Sequence, residues 1–122
     1  VSEERLPSKF AFILHADIAG STALVQQDEE LAHRRIQDTF RRFDETITNY
    51  HGYVRELRGD ALLAEFERAS DVVAAALAFQ TDQSDYLDQL DDTIQPKVRV
   101  GIAMGEVIIT DDTITGEGVV LA

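Results

Sequence analysis

A chain of 122 residues with no cysteine and a formal net charge of −12 is long enough for one domain with one sizeable core. The charge argues against nucleic acid or an anionic membrane surface as a partner, and the missing thiols exclude a disulfide framework or a thiolate metal site. A hydrophobic fraction of 44% argues against disorder. No apolar run approaches the roughly 18 residues that cross a bilayer, so a cytoplasmic domain without direct membrane contact is expected.

The first predicted element is a strand over residues 9–16. Phe10-Ala11-Phe12-Ile13-Leu14 is apolar at consecutive positions, which predicts a central strand covered on both faces. Asp17-Ile18-Ala19-Gly20-Ser21-Thr22 follows, with Ser21 or Thr22 expected to cap a helix. That helix carries Leu31, Ile36, Phe40, Phe43, Ile47 and Tyr50 at helical spacing, and Gly52 is expected to end it with a positive φ. Arg34-Arg35 and Arg41-Arg42 read as a solvated face balanced by nearby acids.

Two short strands are predicted over residues 53–57 and 60–66, joined by a tight turn at Arg58-Gly59. On the second, Asp60, Leu62, Ala64 and Phe66 share a face by the two-residue period. Ser70 is expected to cap a second long helix with Val72, Val73, Ala76, Leu77 and Phe79, whose acidic tail over residues 82–92 reads as solvated. Pro96 ends the helical region. A strand over residues 97–104 follows, with Gly105 expected to turn it into a partner over residues 106–110. The final apolar run, Val119-Val120-Leu121-Ala122, is expected to open another helix, and the domain to continue beyond it.

Helices set between strands in this order predict an α+β fold of the ferredoxin-like, split-βαβ (palm-type) kind: an antiparallel sheet with helices packed on one face. In such a sheet the first strand and the hairpin are neighbours, so Asp17 and Asp60 converge. Alone, Asp17 reads as readily as a helix cap, and Asp60 as a turn residue. Together, two close carboxylates repel unless a cation lies between them, and oxygen-only ligation suits a hard divalent ion. His15, His33 and His51 are scattered without ligand spacing and read as structural or solvated. Ser21 has no His/Asp relay in sequence, so nucleophilic catalysis is not expected.

These residues carry a resemblance. Ala16-Asp17-Ile18-Ala19-Gly20-Ser21-Thr22 resembles the first metal motif of class III nucleotidyl cyclases, and Arg58-Gly59-Asp60-Ala61-Leu62-Leu63-Ala64-Glu65-Phe66 resembles the second. Val98-Arg99-Val100-Gly101-Ile102-Ala103-Met104-Gly105-Glu106-Val107 resembles the family's following hairpin, and Ile114-Thr115-Gly116-Glu117-Gly118-Val119 the start of its last substrate segment. The whole chain would then be a single cyclase homology domain lacking its C-terminal part. The resemblance implies conversion of ATP or GTP to the cyclic 3′,5′-monophosphate with release of pyrophosphate. It implies two ions, Mg²⁺ or Mn²⁺, held by Asp17, Asp60 and the Ile18 carbonyl. It implies a phosphate cradle at Ala19, Gly20, Ser21 and Thr22, base selection by Glu56 and Thr113, and a homodimer with shared sites.

Two departures qualify the catalytic expectation. Glu56 stands where adenine-selecting members carry lysine, a carboxylate suited to the N1 and N2 donors of guanine. Val120 stands where the family usually has an asparagine, and losing a group that stabilises transition-state charge typically lowers rate ~10²-fold or more. The metal half of the site is therefore expected to be intact and the partner half altered, leaving a weak or inactive enzyme. A degenerate, non-catalytic nucleotide-binding or dimerisation module is the alternative. An unrelated phosphoryl-handling domain using Asp17 as phosphoacceptor is a third.

Overall fold

A computed structural model describes residues 8–109 and 114–116. The elements are β1 (Ser8–Ala19), α1 (Ser21–Gln27), α2 (Glu29–Asn49), β2 (Tyr53–Arg58), β3 (Ala61–Phe66), α3 (Ala69–Asp88), β4 (Lys97–Ile109) and β5 (Ile114–Gly116). The strands form one sheet in the order β2-β3-β1-β4-β5, and every neighbouring pair is antiparallel. The palm-type α+β expectation holds, with β1 at the centre. Among the described residues no helix is long and apolar enough to cross a membrane.

Alternation along the strands separates two faces. Leu14, Ala16 and Ile18 of β1, Leu62, Ala64 and Phe66 of β3 and Val98 of β4 turn toward the helices and join one buried cluster. The helices meet them with Ala32, Ile36, Phe40, Phe43 and Ile47 of α2 and Val72, Ala75 and Phe79 of α3, spaced three or four residues apart. Phe43 and Phe79 stack with ring centroids 3.8 Å apart. Ala11, Ile13, Leu63 and Val107 form a smaller buried cluster on the opposite face. The consecutive apolar run thus marks a central strand as expected, except that Phe10 stays 68% exposed.

Several local expectations are corrected. β1 runs on to Ala19, because β4 pairs with it along its whole length, so Asp17 lies within the strand rather than after it. The first helix is broken at Asp28, which is extended (φ −158°) and whose carboxylate accepts from the Leu31 N–H at 3.1 Å, capping α2. Neither Ser21 nor Thr22 caps α1; Gly20 takes that position with φ 64°. Ser70 is not a cap either, since α3 opens after Arg68 without a side-chain cap.

The positive φ near the end of α2 belongs to His51, at 68°. Gly52 is required for a different reason: a Cβ there would stand 2.5 Å from the Phe66 ring. Asp60 sits in the β2–β3 turn and not on the strand, whereas Gly59 does take the positive φ, 41°, that the turn needs. Gly105 makes no turn. It pairs with Ala11 in mid-strand, and β4 stays continuous as far as Ile109.

The acidic tail of α3 is not simply solvated. Gln83 is buried, donates to the Pro96 carbonyl at 2.7 Å and accepts from Arg42 at 2.6 Å. Arg42 also bridges to Asp82 at 2.6 Å, and Arg35 to Asp92 at 2.5 Å and to the Ile94 carbonyl at 2.7 Å. Arg35 and Arg42 are therefore largely covered struts, Arg35 from α2 to the segment after α3 and Arg42 from α2 to α3 itself, while Arg34 and Arg41 keep the solvated role.

Candidate functional site

The end of β1 and the β2–β3 turn come together through the backbone. Asp17 lies opposite Ala61 on β3 and opposite Arg99 on β4. One residue on, the Ile18 N–H donates to the Asp60 carbonyl at 3.2 Å. The two aspartates expected to converge are thus delivered to the same end of the same strand.

Their side chains take separate partners. Both oxygens of Asp17 are held by Arg99, Nε to Oδ1 at 2.8 Å and Nη2 to Oδ2 at 3.1 Å, a bidentate fork. The carboxylate in turn raises the Arg99 pKa above its ordinary value. Asp60 Oδ2 accepts from the Ser21 hydroxyl at 2.8 Å. Ser21 therefore orients Asp60 instead of closing the helix end.

Two carboxylates, a hydroxyl and nearby backbone carbonyls make an all-oxygen donor set that fits a hard divalent ion with water or phosphate completing its shell. Among the described residues no cluster of three or more His, Cys, Asp or Glu is gathered that could hold an ion unaided. The Arg99 fork takes one lone pair on each Asp17 oxygen and competes with an ion for that carboxylate. The residues fit a metal that arrives with its own phosphate ligands.

A cavity of about 420 Å³ opens beside Asp60 and is lined by Ser21, Thr22, Val25, Ile36 and Gly59 among others. Its volume is in the range of small-molecule sites. Of the expected phosphate cradle, Ser21 and Thr22 line this cavity, whereas Ala19 and Gly20 do not. No atom lies within 4 Å of where a Gly20 Cβ would stand, so glycine is needed there for its backbone angle and not for packing.

Glu56 lies elsewhere, on the face of the sheet away from the helices. With His15, Arg58 and Leu63 it lines a smaller cavity of about 180 Å³, and it pairs with Arg58 at 3.4 Å. Thr113 and Val120 lie outside the described residues.

Residues 7–115 match the family described as adenylate and guanylate cyclase catalytic domains. This chain belongs to that family. A Rhizobium meliloti (strain 1021) protein provisionally named adenylate cyclase 3 is 28% identical over 123 residues, covering 100% of this chain and 21% of the relative. The chain thus spans about a fifth of that relative's length. The crystal structure of an adenylate/guanylate cyclase/hydrolase from Silicibacter pomeroyi superposes with a TM-score of 0.82 at 27% identity, covering 94% of this chain and 67% of that one. A bacterial light-regulated adenylyl cyclase shares the fold with a TM-score of 0.86 at 19% identity, over 98% of this chain and 39% of that one.

In this cyclase domain the open sheet face is where basic residues gather. Lys9, Arg55, Lys97 and Arg99 fall on it by strand alternation and Arg58 by its pairing with Ala61 after a register shift, and together they outnumber Asp17, Glu56 and Glu65 there, although the chain as a whole carries −12. Anionic ligands are thus favoured on this face over the rest of the surface. One neighbour of Asp17 escaped sequence reasoning: Arg99 stands out only once β4 is registered against β1. His15, two residues before Asp17 and on the same face by the strand period, lines the smaller cavity with Glu56.

Proposed function

We propose that this cyclase domain binds a nucleoside triphosphate with two divalent ions, Mg²⁺ or Mn²⁺, and converts ATP or GTP to the cyclic 3′,5′-monophosphate and pyrophosphate in intracellular signalling. The working form is a homodimer in the cytoplasm. The observation that carries the reading is the arrival of Asp17 and Asp60 at one end of β1, with the Ile18 N–H bonded to the Asp60 carbonyl, in the fold of this family.

Each residue then has a defined task. Asp17, Asp60 and the Ile18 carbonyl ligate. Ser21 holds the Asp60 carboxylate at a fixed angle through its 2.8 Å hydrogen bond. Ala19, Gly20, Ser21 and Thr22 present backbone N–H groups, and Thr22 its hydroxyl, to phosphate oxygens. When bound, the ions supply activation of the ribose 3′-hydroxyl and charge neutralisation of the triphosphate. Arg99 releases Asp17 on loading and turns its fork to a phosphate, the other anion whose geometry it matches. Glu56 accepts from the N1 and N2 donors of a guanine, and Thr113 contacts the same base.

The protein, incubated with ATP or GTP and Mn²⁺, is expected to form cyclic nucleotide, and Asp17→Ala to abolish it. A folded dimer that makes no product from either nucleotide would sink cyclisation. Two observations favour a second reading, a nucleotide-binding or dimerisation module without turnover: Val120 replaces a polar residue, and Arg99 occupies both oxygens of Asp17. Turnover that disappears in Asp17→Ala counts decisively against that module.

A further inference from the structure

The smaller cavity on the open face, about 180 Å³, is below the range of sites that hold a whole small molecule, and suits a single flat ring system. Strand register explains its walls. His15 of β1 stands opposite Leu63 of β3, and Glu56 of β2 stands opposite the same Leu63. Residues opposite one another in a ladder share a face, so His15 and Glu56 flank Leu63 in one row. Glu56 reaches that row because β2 carries an extra residue. Val54 pairs with Ala64 and Glu56 with Leu63, which makes Arg55 the extra residue of a β-bulge. In a regular ladder Glu56 would stand opposite Leu62 and face the helices. Ala61 and Arg58, paired in the next row, line the same cavity.

The floor is apolar and the two flanks are polar in complementary ways. Leu63 is 6% exposed, and its row is joined by the Ala61 methyl. Glu56 is half-buried, and an ionised carboxylate only accepts. His15 is half-buried too, and a neutral imidazole carries one N–H donor. His51 meets a charged partner, Asp71, at 3.6 Å, whereas His15 has neither a hydrogen bond nor an ion pair among the described residues. Its neighbour on β4 is Gly101, which brings no side chain against it. An acceptor and an uncommitted donor on either side of an apolar floor match a flat heterocycle with donors on one edge and an acceptor on another. Guanine is such a ring, with N1 and N2 donors on one edge and the N7 acceptor on another.

We propose that His15 is a purine-binding residue: with the base over Leu63 and Glu56 on its N1 and N2 donors, the His15 N–H donates to N7. This rests on the reading of Glu56 as base-selecting for the direction in which the base lies. The two residues divide the recognition. Glu56 favours guanine, which has donors where adenine has an acceptor at N1. N7 is common to both bases, so His15 holds a purine without choosing between them.

The test varies the ligand before the protein. Affinities of the full chain for GTP, 7-deaza-GTP (carbon in place of N7) and ITP (no N2 amine) are measured with Mg²⁺ by calorimetric titration, beside Mg²⁺-tripolyphosphate, which has no base. GTP is expected to bind about three- to tenfold more tightly than 7-deaza-GTP, the worth of one neutral hydrogen bond. His15→Phe keeps a flat ring without the donor and should make the two equal, with tripolyphosphate affinity unchanged. Should that variant not fold, the His15 ring resonances of the unsubstituted chain decide the same point, since they should shift with GTP and not with 7-deaza-GTP. Equal binding of GTP and 7-deaza-GTP by the unsubstituted chain overturns the proposal, and so does a preference that survives His15→Phe. Equal binding of GTP and ITP removes the Glu56 reading, while a GTP preference over 7-deaza-GTP that is lost in His15→Phe still supports the N7 contact. Failure to bind any triphosphate would overturn the proposed function and this inference together.

Discussion

The two faces of this sheet are made by the same alternation and serve different ends. The face under α2 and α3 is a packed apolar layer with almost no charge in it. The open face carries Asp17, Arg99, Glu56, Arg58, Glu65, Lys9 and His15 around the small cluster of Ala11, Ile13, Leu63 and Val107. Substitutions on the first should change stability and leave chemistry alone. Substitutions of the exposed charged residues on the second should do the reverse, whereas its buried members, Glu65 and the small apolar cluster, also contribute to stability. The central strand contributes to both at once, since Ala16 and Ile18 lock into the core while Asp17 between them faces the open side.

The largest effect on stability is expected on the helix face. Phe43→Ala removes the partner of Phe79 from a fully buried position and should destabilise the protein by about 3–5 kcal/mol. Urea unfolding followed by circular dichroism checks it. A change below ~1 kcal/mol would mean that the two faces are not energetically distinct.

Asp17→Asn supplies the contrast. Arg99 is 68% exposed, so losing this ion pair should change stability by less than about 1 kcal/mol. Mn²⁺-triphosphate affinity should fall on the order of 10- to 100-fold or more, since even outer partners of a metal site have effects of that size. Calorimetric titration and thermal melts on the same sample separate the two quantities. Equal losses in both would show Asp17 to be structural.

Gly52→Ala sits where the helix layer meets the hairpin. Its new Cβ would stand 2.5 Å from Phe66 and 2.7 Å from Ile47. Overpacking of this kind destabilises by about 1–3 kcal/mol. A shift of the denaturant midpoint without altered nucleotide affinity is the expected result.

The smallest effect belongs to the outer surface of α2. Hydrogen bonding from Arg41, with Arg42 adding to it, holds the Asp38 carboxyl below its ordinary range. A group whose folded pKa is depressed stabilises above its unfolded value and loses that contribution as pH falls through the folded one. Asp38→Asn should therefore lower stability slightly at neutral pH and make the acid limb of the stability profile shallower below about pH 4. Melting temperatures from pH 7 down to 2.5 would show this, and parallel curves for the two proteins would refute it.

Much of the plan was legible in the residues. The order of strands and helices, the central position of β1 and the buried stripe of Leu62, Ala64 and Phe66 follow from apolar periodicity, which depends only on local geometry. The pairing of Asp17 with Asp60 followed from the topology that this order implies, and their chemical reading from family resemblance. What failed failed at places where a distant partner decides. Gly105 reads as a turn until β1 offers it a continuous ladder. Gln83 reads as part of a solvated acidic tail until Thr39, Arg42 and Pro96 surround it.

The sequence by itself determined most of the elements, the two-faced sheet and the identity of the candidate metal ligands, but not the break at Asp28 or the continuity of β4 through Gly105, because hydrophobic period and short motifs are properties of neighbours in the chain. Tertiary structure alone decided the bulge at Arg55 and the Arg99 fork on Asp17. Both depend on strand register, and register is a relation between residues far apart in sequence: Arg99 stands 82 residues from Asp17 and closes on it at 2.8 Å.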